Sequence, residues 1–202
     1  LDSMTTQLPK PFLFSITPAE HHPDFERARE NITRTLVLYD NAGEHFEPGM
    51  DSVDNPTTQH VLYSDTVFFL FDPTKDVRFR ARCDNNEDPQ MAKRARVQRQ
   101  EVLLTEMVNR IQKYSGQRSR EKSNRPLVII VPKADIWLHL LGYDIPREPW
   151  AWDKDCGTSA LDVDTIMSTS YSLRSMLEEV CPELVSTAES FSNDVLFVPN
   201  SA

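Results

Sequence analysis

Glycine is scarce in this chain, with five in 202 residues and none before Gly43. That scarcity excludes the glycine-dense signatures of nucleotide and hydrolase chemistry. GxGxxG, the GxSxG nucleophile elbow and the GxxxxGK[ST] phosphate loop are all missing from residues 1–202. Cysteine is also sparse, and Cys83, Cys156 and Cys181 are too far apart to form a CxxC. An odd, scattered set of this kind indicates neither a disulfide framework nor a zinc site, and a reducing cytoplasmic home is expected. No apolar run approaches the roughly 20 residues needed to span a bilayer, so no membrane span is expected. LDSMTTQ lacks the charged and apolar regions of a secretory signal. The opening on Leu1 reads as the edge of a longer chain or a processing point. Positive charge is in deficit: 22 Lys and Arg against 31 Asp and Glu give a net charge of -9. A surface of that sign repels nucleic acid and anionic lipid at long range, and no nucleic-acid partner is expected. The local exception, KRARVQRQ from Lys93, reads as the solvated face of a helix.

What the chain does have is apolar runs of strand length. PFLFSIT (11–17), RTLVLYD (34–40), TVFFLFD (66–72), PLVIIVP (126–132) and DVLFVPN (194–200) are short, rich in aromatic and β-branched residues, and bounded by polar residues. The middle three are apolar nearly throughout, as in a largely parallel sheet covered by helices on both faces. Residues 90–114 carry Val97, Leu103, Leu104, Met107, Val108 and Ile111 at helical spacing, and a second helix is expected from about Asp164 to Val180, ending before Pro182. Residues 147–162 read as a long loop or insertion, and their length and aromatics make them a candidate surface for a protein effector. The expectation is a single α/β domain with a mostly parallel sheet flanked by helices.

Two strand ends carry chemistry. LVLYDNAGEH (36–45) places Asp40 after an apolar run, where a carboxylate can reach Mg²⁺ directly or through water, and Gly43 where a backbone N–H can approach a phosphate. An ordinary Asp-Asn-Ala-Gly turn explains the same residues. LVIIVPKAD (127–135) ends in Asp135, whose carboxylate can accept the paired N1–H and exocyclic amine donors of guanine, and Lys133 can lay its stem along the purine plane. Here too there is a plain alternative, since Asp135 could simply cap a helix over IWLHLLG.

The succession carries more than either loop. A strand ending in DNAGE is followed by one ending in FDPT, a long helix, a strand ending in PKAD, a helix, and a strand ending in VPNSA. With FDPTKDVRFR (71–80) and RQEVLLTEMVNRI (99–111), residues 11–202 resemble a TRAFAC-class, Ras-like P-loop GTPase domain of a poorly characterised bacterial family. The resemblance runs from the family's second strand to its fifth signature loop and lacks the phosphate loop at the N-terminal end. It implies GTP or GDP with Mg²⁺ as ligands, Asp40 on the metal side and Gly43 as γ-phosphate sensor. It implies Lys133 and Asp135 as guanine readers, and Ser201 and Ala202 as the start of the loop that supports the guanine carbonyl. Glu44 stands where the family has a water-orienting Gln, and either Glu44 or His45 could position or deprotonate water. Thr5 and Thr6 are the candidates for the switch-I threonine. Pro132 replaces the Asn that opens the family's fourth loop, which removes a side-chain amide contact. The expected function is a guanine-nucleotide-dependent molecular switch with GTPase activity that depends on an upstream phosphate loop. The alternative is an inactive GTPase-like module that binds protein partners.

Overall fold

The structure, a computed structural model, describes residues 11–17, 20, 25–26, 34–40, 46–47, 49, 59–83, 91, 99–115, 121–142, 144–145, 148–155 and 157–201. Thr5, Thr6, Gly43, Glu44, His45, Cys156, Ala202 and the basic stretch 93–98 lie outside the described residues.

All five apolar runs form strands. β1 (Pro11–Ile16) and β2 (Arg34–Tyr39) pair antiparallel, with Pro11 opposite Tyr39 and Ile16 opposite Arg34. β3 (Val67–Leu70) and β4 (Leu127–Val131) are parallel, with Phe68 beside Val128. A second antiparallel hairpin, β5 (Trp150–Asp153) with β6 (Thr158–Leu161), occupies the stretch expected to be a loop. β7 (Val195–Pro199) joins the other side of β4 in parallel, so the central sheet has the order β3-β4-β7. The molecule is thus mixed α/β around a three-stranded parallel sheet. β1 and β2 form an antiparallel pair of their own rather than extending that sheet.

Six α-helices complete the described residues: α1 (Gln59–Tyr63), α2 (Val77–Arg82), α3 (Gln100–Ser115), α4 (Ala134–Trp137), α5 (Val163–Val180) and α6 (Pro182–Phe191). α2 starts at Asp76, whose carboxylate accepts from Arg78 N at 2.8 Å and Phe79 N at 3.1 Å, satisfying donors that a helix start leaves open. α5 starts in the same way at Asp162, which accepts from Thr165 N. Pro182 does not end the helical region. It opens α6 at a first-turn position, where its missing N–H costs nothing, after a break at Cys181. α4 is a single turn that tightens into a 3₁₀ turn over Leu138–Leu141 and stops at Gly142, φ 74°.

The core gathers the inward residues of β4 (Leu127, Ile129, Val131), α3 (Leu104, Met107, Val108, Ile111), α5 and α6. Under the carboxyl end of β3, the fully buried rings of Phe71, Phe79 and Trp137 interlock. Phe79 lies 6.1 Å from Phe71 and 6.0 Å edge-on from Trp137. The two edges of the parallel sheet differ. At β7, Phe197 N donates to Ser170 Oγ of α5 at 2.9 Å, so part of that edge is covered. At β3 no strand pairs on the far side among the described residues, and Phe68 and Leu70 are 50% and 62% exposed. β1 and β2 also leave Phe12, Leu13, Phe14, Leu36 and Val37 exposed, on both faces of the hairpin. An isolated two-stranded hairpin is marginal in water, so these bare apolar edges are where the fold has the most left to bury.

Several carboxylates are held below their ordinary pKa. Burial alone would raise Asp72 and Asp76. The hydrogen bonds from Thr74 and Lys133 to Asp72, and from Arg78 and Phe79 to Asp76, outweigh it. Glu183 is lowered by a backbone N–H and by Arg78, and Glu189 by Arg174. Groups that are more acidic folded than unfolded stabilise the fold above the unfolded carboxylate pKa near about 4, and this contribution is lost as pH falls through the folded values. The urea midpoint should therefore hold from pH 7 to 5 and drop on going to pH 3. A midpoint as high at pH 3 as at pH 7 would contradict the assignment.

Candidate functional site

The loops that follow β4 and β7 meet at the carboxyl end of the parallel sheet, the end at which open α/β sheets bind ligands. Backbone bonds zip them together: Asn200 N donates to Val131 O at 3.0 Å, and Ala134 N donates to Asn200 O at 2.9 Å. Pro132 brings no donor, but its carbonyl accepts from Trp137 Nε1 at 2.9 Å, which fastens the loop to the aromatic core. Asp135 lies in the first turn of α4 and does not cap it; the cap position belongs to Lys133, which makes no side-chain capping bond. The Asp135 carboxylate instead reaches across to the other loop, where Ser201 Oγ donates to its Oδ1 at 2.9 Å. Three of the expected nucleotide-side residues, Lys133, Asp135 and Ser201, are therefore brought to one place.

Lys133 is the one non-glycine residue with positive φ among those described, at φ 59° and ψ 43°. A left-handed conformation of this kind is held against roughly 1 kcal/mol or more of backbone strain. The restraint comes from the end of β3. Lys133 Nζ donates to both carboxylate oxygens of Asp72, at 3.0 Å each, and to Thr74 Oγ1 at 2.9 Å. Asp72 is itself fixed. It accepts from Thr74 N and Oγ1, and its backbone is gripped by Gln100 of α3, whose Oε1 accepts from Asp72 N and whose Nε2 donates to Asp72 O, both at 2.8 Å. FDPT and the start of the long helix thus form a bracket that aims the β4 loop. Sequence reasoning used these residues only as marks of resemblance. The available signal was an Asp followed two residues later by Thr, the pattern of a side-chain-closed turn. Asp72→Ala should release Lys133 and leave Thr74 N without its acceptor. The pair is partly exposed, so the expected loss of stability is about 1–2 kcal/mol in urea unfolding. No measurable loss would show that the bracket is incidental.

Of the remaining expected site residues the structure describes Asp40 alone, and it is not joined to this place. Asp40 follows β2 as an exposed residue and makes no hydrogen bond to Lys133, Asp135 or Ser201. Gly43, Glu44, His45 and Ala202 fall outside the described residues. Phe46 and Glu47, just after His45, are anchored to α3. Phe46 is buried with the Arg110 guanidinium 5.4 Å from its ring centroid, and Arg110 Nη2 donates to Glu47 O at 3.2 Å. Arg110 is buried on α3 and paired with Glu106, an anchor that sequence reasoning missed. Among the described residues no three His, Cys, Asp or Glu side chains cluster as a metal site.

Cys83 and Cys181 are buried, and burial pushes the Cys181 thiol up to about 12, so it is no thiolate nucleophile. An open depression of about 370 Å³ between 62–65 and 122–125 lies at the amino end of β3 and β4, away from the loops. No helix among the described residues is long and apolar enough to cross a membrane. Comparison with known proteins finds no matching family model, no matching curated protein and no matching solved structure.

Proposed function

We propose that this chain is the base-reading part of a Ras-like guanine-nucleotide-binding domain whose phosphate grip comes from a segment outside residues 1–202. The observation that supports it best is the Asp135–Ser201 hydrogen bond, which joins the β4 and β7 loops and holds an exposed carboxylate at the carboxyl end of a parallel sheet. Asp135 Oδ1 accepts a hydrogen bond from the Ser201 hydroxyl, and Oδ2 has no hydrogen-bond partner among the described residues. A carboxylate held this way accepts the two adjacent donors on the Watson–Crick edge of guanine. Adenine offers an acceptor at N1 instead and is repelled there. Lys133, pinned through its ammonium, leaves its aliphatic stem to lie along the purine plane. Among the described residues no strand pairs with the outer edge of β3, and a strand added there is how a phosphate loop would reach these loops. GTP hydrolysis would then proceed by in-line attack of a water oriented by Glu44 or His45, with Gly43 sensing the γ-phosphate and Asp40 on the side of the Mg²⁺ that accompanies the nucleotide. Competition for a fluorescent GDP analogue tests the reading. Unlabelled GDP should displace it and ADP should not, while equal displacement by both sinks it.

A second reading, a GTPase-like module that binds protein partners without turnover, is favoured by two observations. The Lys133 ammonium is already engaged by Asp72 and Thr74, and residues 1–202 contain no GxxxxGK[ST]. Absence of any nucleotide binding by a chain that includes the phosphate loop would decide for it.

A further inference from the structure

The β5–β6 hairpin presents an apolar face to solvent. Trp150 is paired with Leu161 and Trp152 with Ser159, so both indoles and Leu161 share one side of the hairpin. Trp152 is 64% exposed and Leu161 66%. The face continues onto α5, where Val163, Met167 and Tyr171 follow at intervals of four and are all exposed. Where hairpin and helix meet there is a depression of about 400 Å³, lined by Trp152, Leu161, Val163, Asp153, Asp162 and Asp164. Aromatic side chains at this density on a solvent face mark a contact surface.

The charge around it is one-sided. From Glu148 to Asp164 the chain carries five acidic residues and one basic residue, Lys154. Asp155, Asp162 and Asp164 enter no ion pair among the described residues, although nine pairs form elsewhere. Asp162 is kept ionised by the N–H and hydroxyl of Thr165, which lower its pKa. A second copy of this chain would bring the same carboxylates against each other, on a molecule already at -9. An anionic lipid surface would meet the same repulsion.

We propose that this face docks a partner polypeptide segment carrying Arg or Lys beside apolar side chains. The cations would lie over the Trp150 and Trp152 rings and against the aspartates, and an apolar side chain would enter the depression beside Leu161 and Val163. The inference is independent of whether the β4 and β7 loops hold a nucleotide.

The test uses three labelled peptides with the same leucines and tryptophan, in which the remaining positions are arginine, serine or glutamate. Fluorescence anisotropy against the full chain should show binding of the arginine peptide that weakens with added salt, and affinity for the other two at least about tenfold lower. Trp152→Ser and Asp164→Asn, both at exposed positions, should each weaken the arginine peptide by about fivefold or more without changing the melting temperature. Glu121→Gln, on a distant exposed turn, should leave binding unchanged. Binding that ignores peptide charge, or that survives both variants, overturns the proposal. So does a dimer in sedimentation that Trp152→Ser dissociates, since the face would then belong to a second copy.

Discussion

Asp135→Asn should lower affinity for GDP by about a hundredfold and raise affinity for the xanthine nucleotide, because the variant exchanges one acceptor for a donor. In the proposed site guanine would offer two adjacent donors to Asp135; an asparagine amide would meet one of them with its own N–H₂ and leave both groups unpaired. Losing a charge-assisted bond of this kind, once the bound base covers the carboxylate, is worth about 2–3 kcal/mol. Xanthine offers one donor and one carbonyl at the same edge, which the amide complements. The scaffold should tolerate the change, since Asn still accepts from Ser201 Oγ and Asp135 caps no helix. Calorimetric titration of the chain with both nucleotides gives the comparison. An unchanged GDP affinity would remove Asp135 from the base-reading role.

Phe79→Ala should destabilise the fold by about 3–5 kcal/mol, the range for deleting a large buried ring. Phe79 is fully buried between Phe71 and Trp137, and its N–H helps close the Asp76 cap. The cavity would open beneath the strand that positions Asp72, and next to the indole that holds the Pro132 carbonyl. The effect should therefore reach the site as well as the core. Phe79→Leu keeps most of the volume and should lose about 1–2 kcal/mol. Urea unfolding at neutral pH measures both, and an alanine variant within 1 kcal/mol of the parent would contradict the packing described.

How much of this the sequence disclosed depended on range. The five apolar runs were legible because a strand of β-branched and aromatic residues between polar boundaries has few other outcomes. α3 was legible from Leu104, Met107, Val108 and Ile111 at helical spacing. The β5–β6 hairpin was not, because its strands are four residues each and both tryptophans face solvent, so no core-facing pattern marks them. α6 was hidden by Pro182, which reads equally well as a stop and as a first-turn residue. The antiparallel pairing of β1 with β2 could not be read from their composition, since which edges meet is a tertiary outcome. Within the site, residue types were visible and partnerships were not. Asp72 lies 61 positions before Lys133, and Ser201 lies 66 after Asp135. Nothing local to either pair announces the contact. The left-handed Lys133 was equally invisible, because that conformation is imposed by the bracket from β3 and α3 and not by any preference of lysine.

The most direct test of guanine reading at the β4 and β7 loops is an amide chemical-shift titration of the isotope-labelled chain with GDP and, separately, ADP at millimolar concentration, where weak binding without the phosphate loop still registers. The account predicts that GDP shifts the amides of Lys133, Ala134, Asp135 and Ser201 while ADP leaves them in place. Equal shifts with both nucleotides, or shifts confined to residues away from these loops, would contradict it.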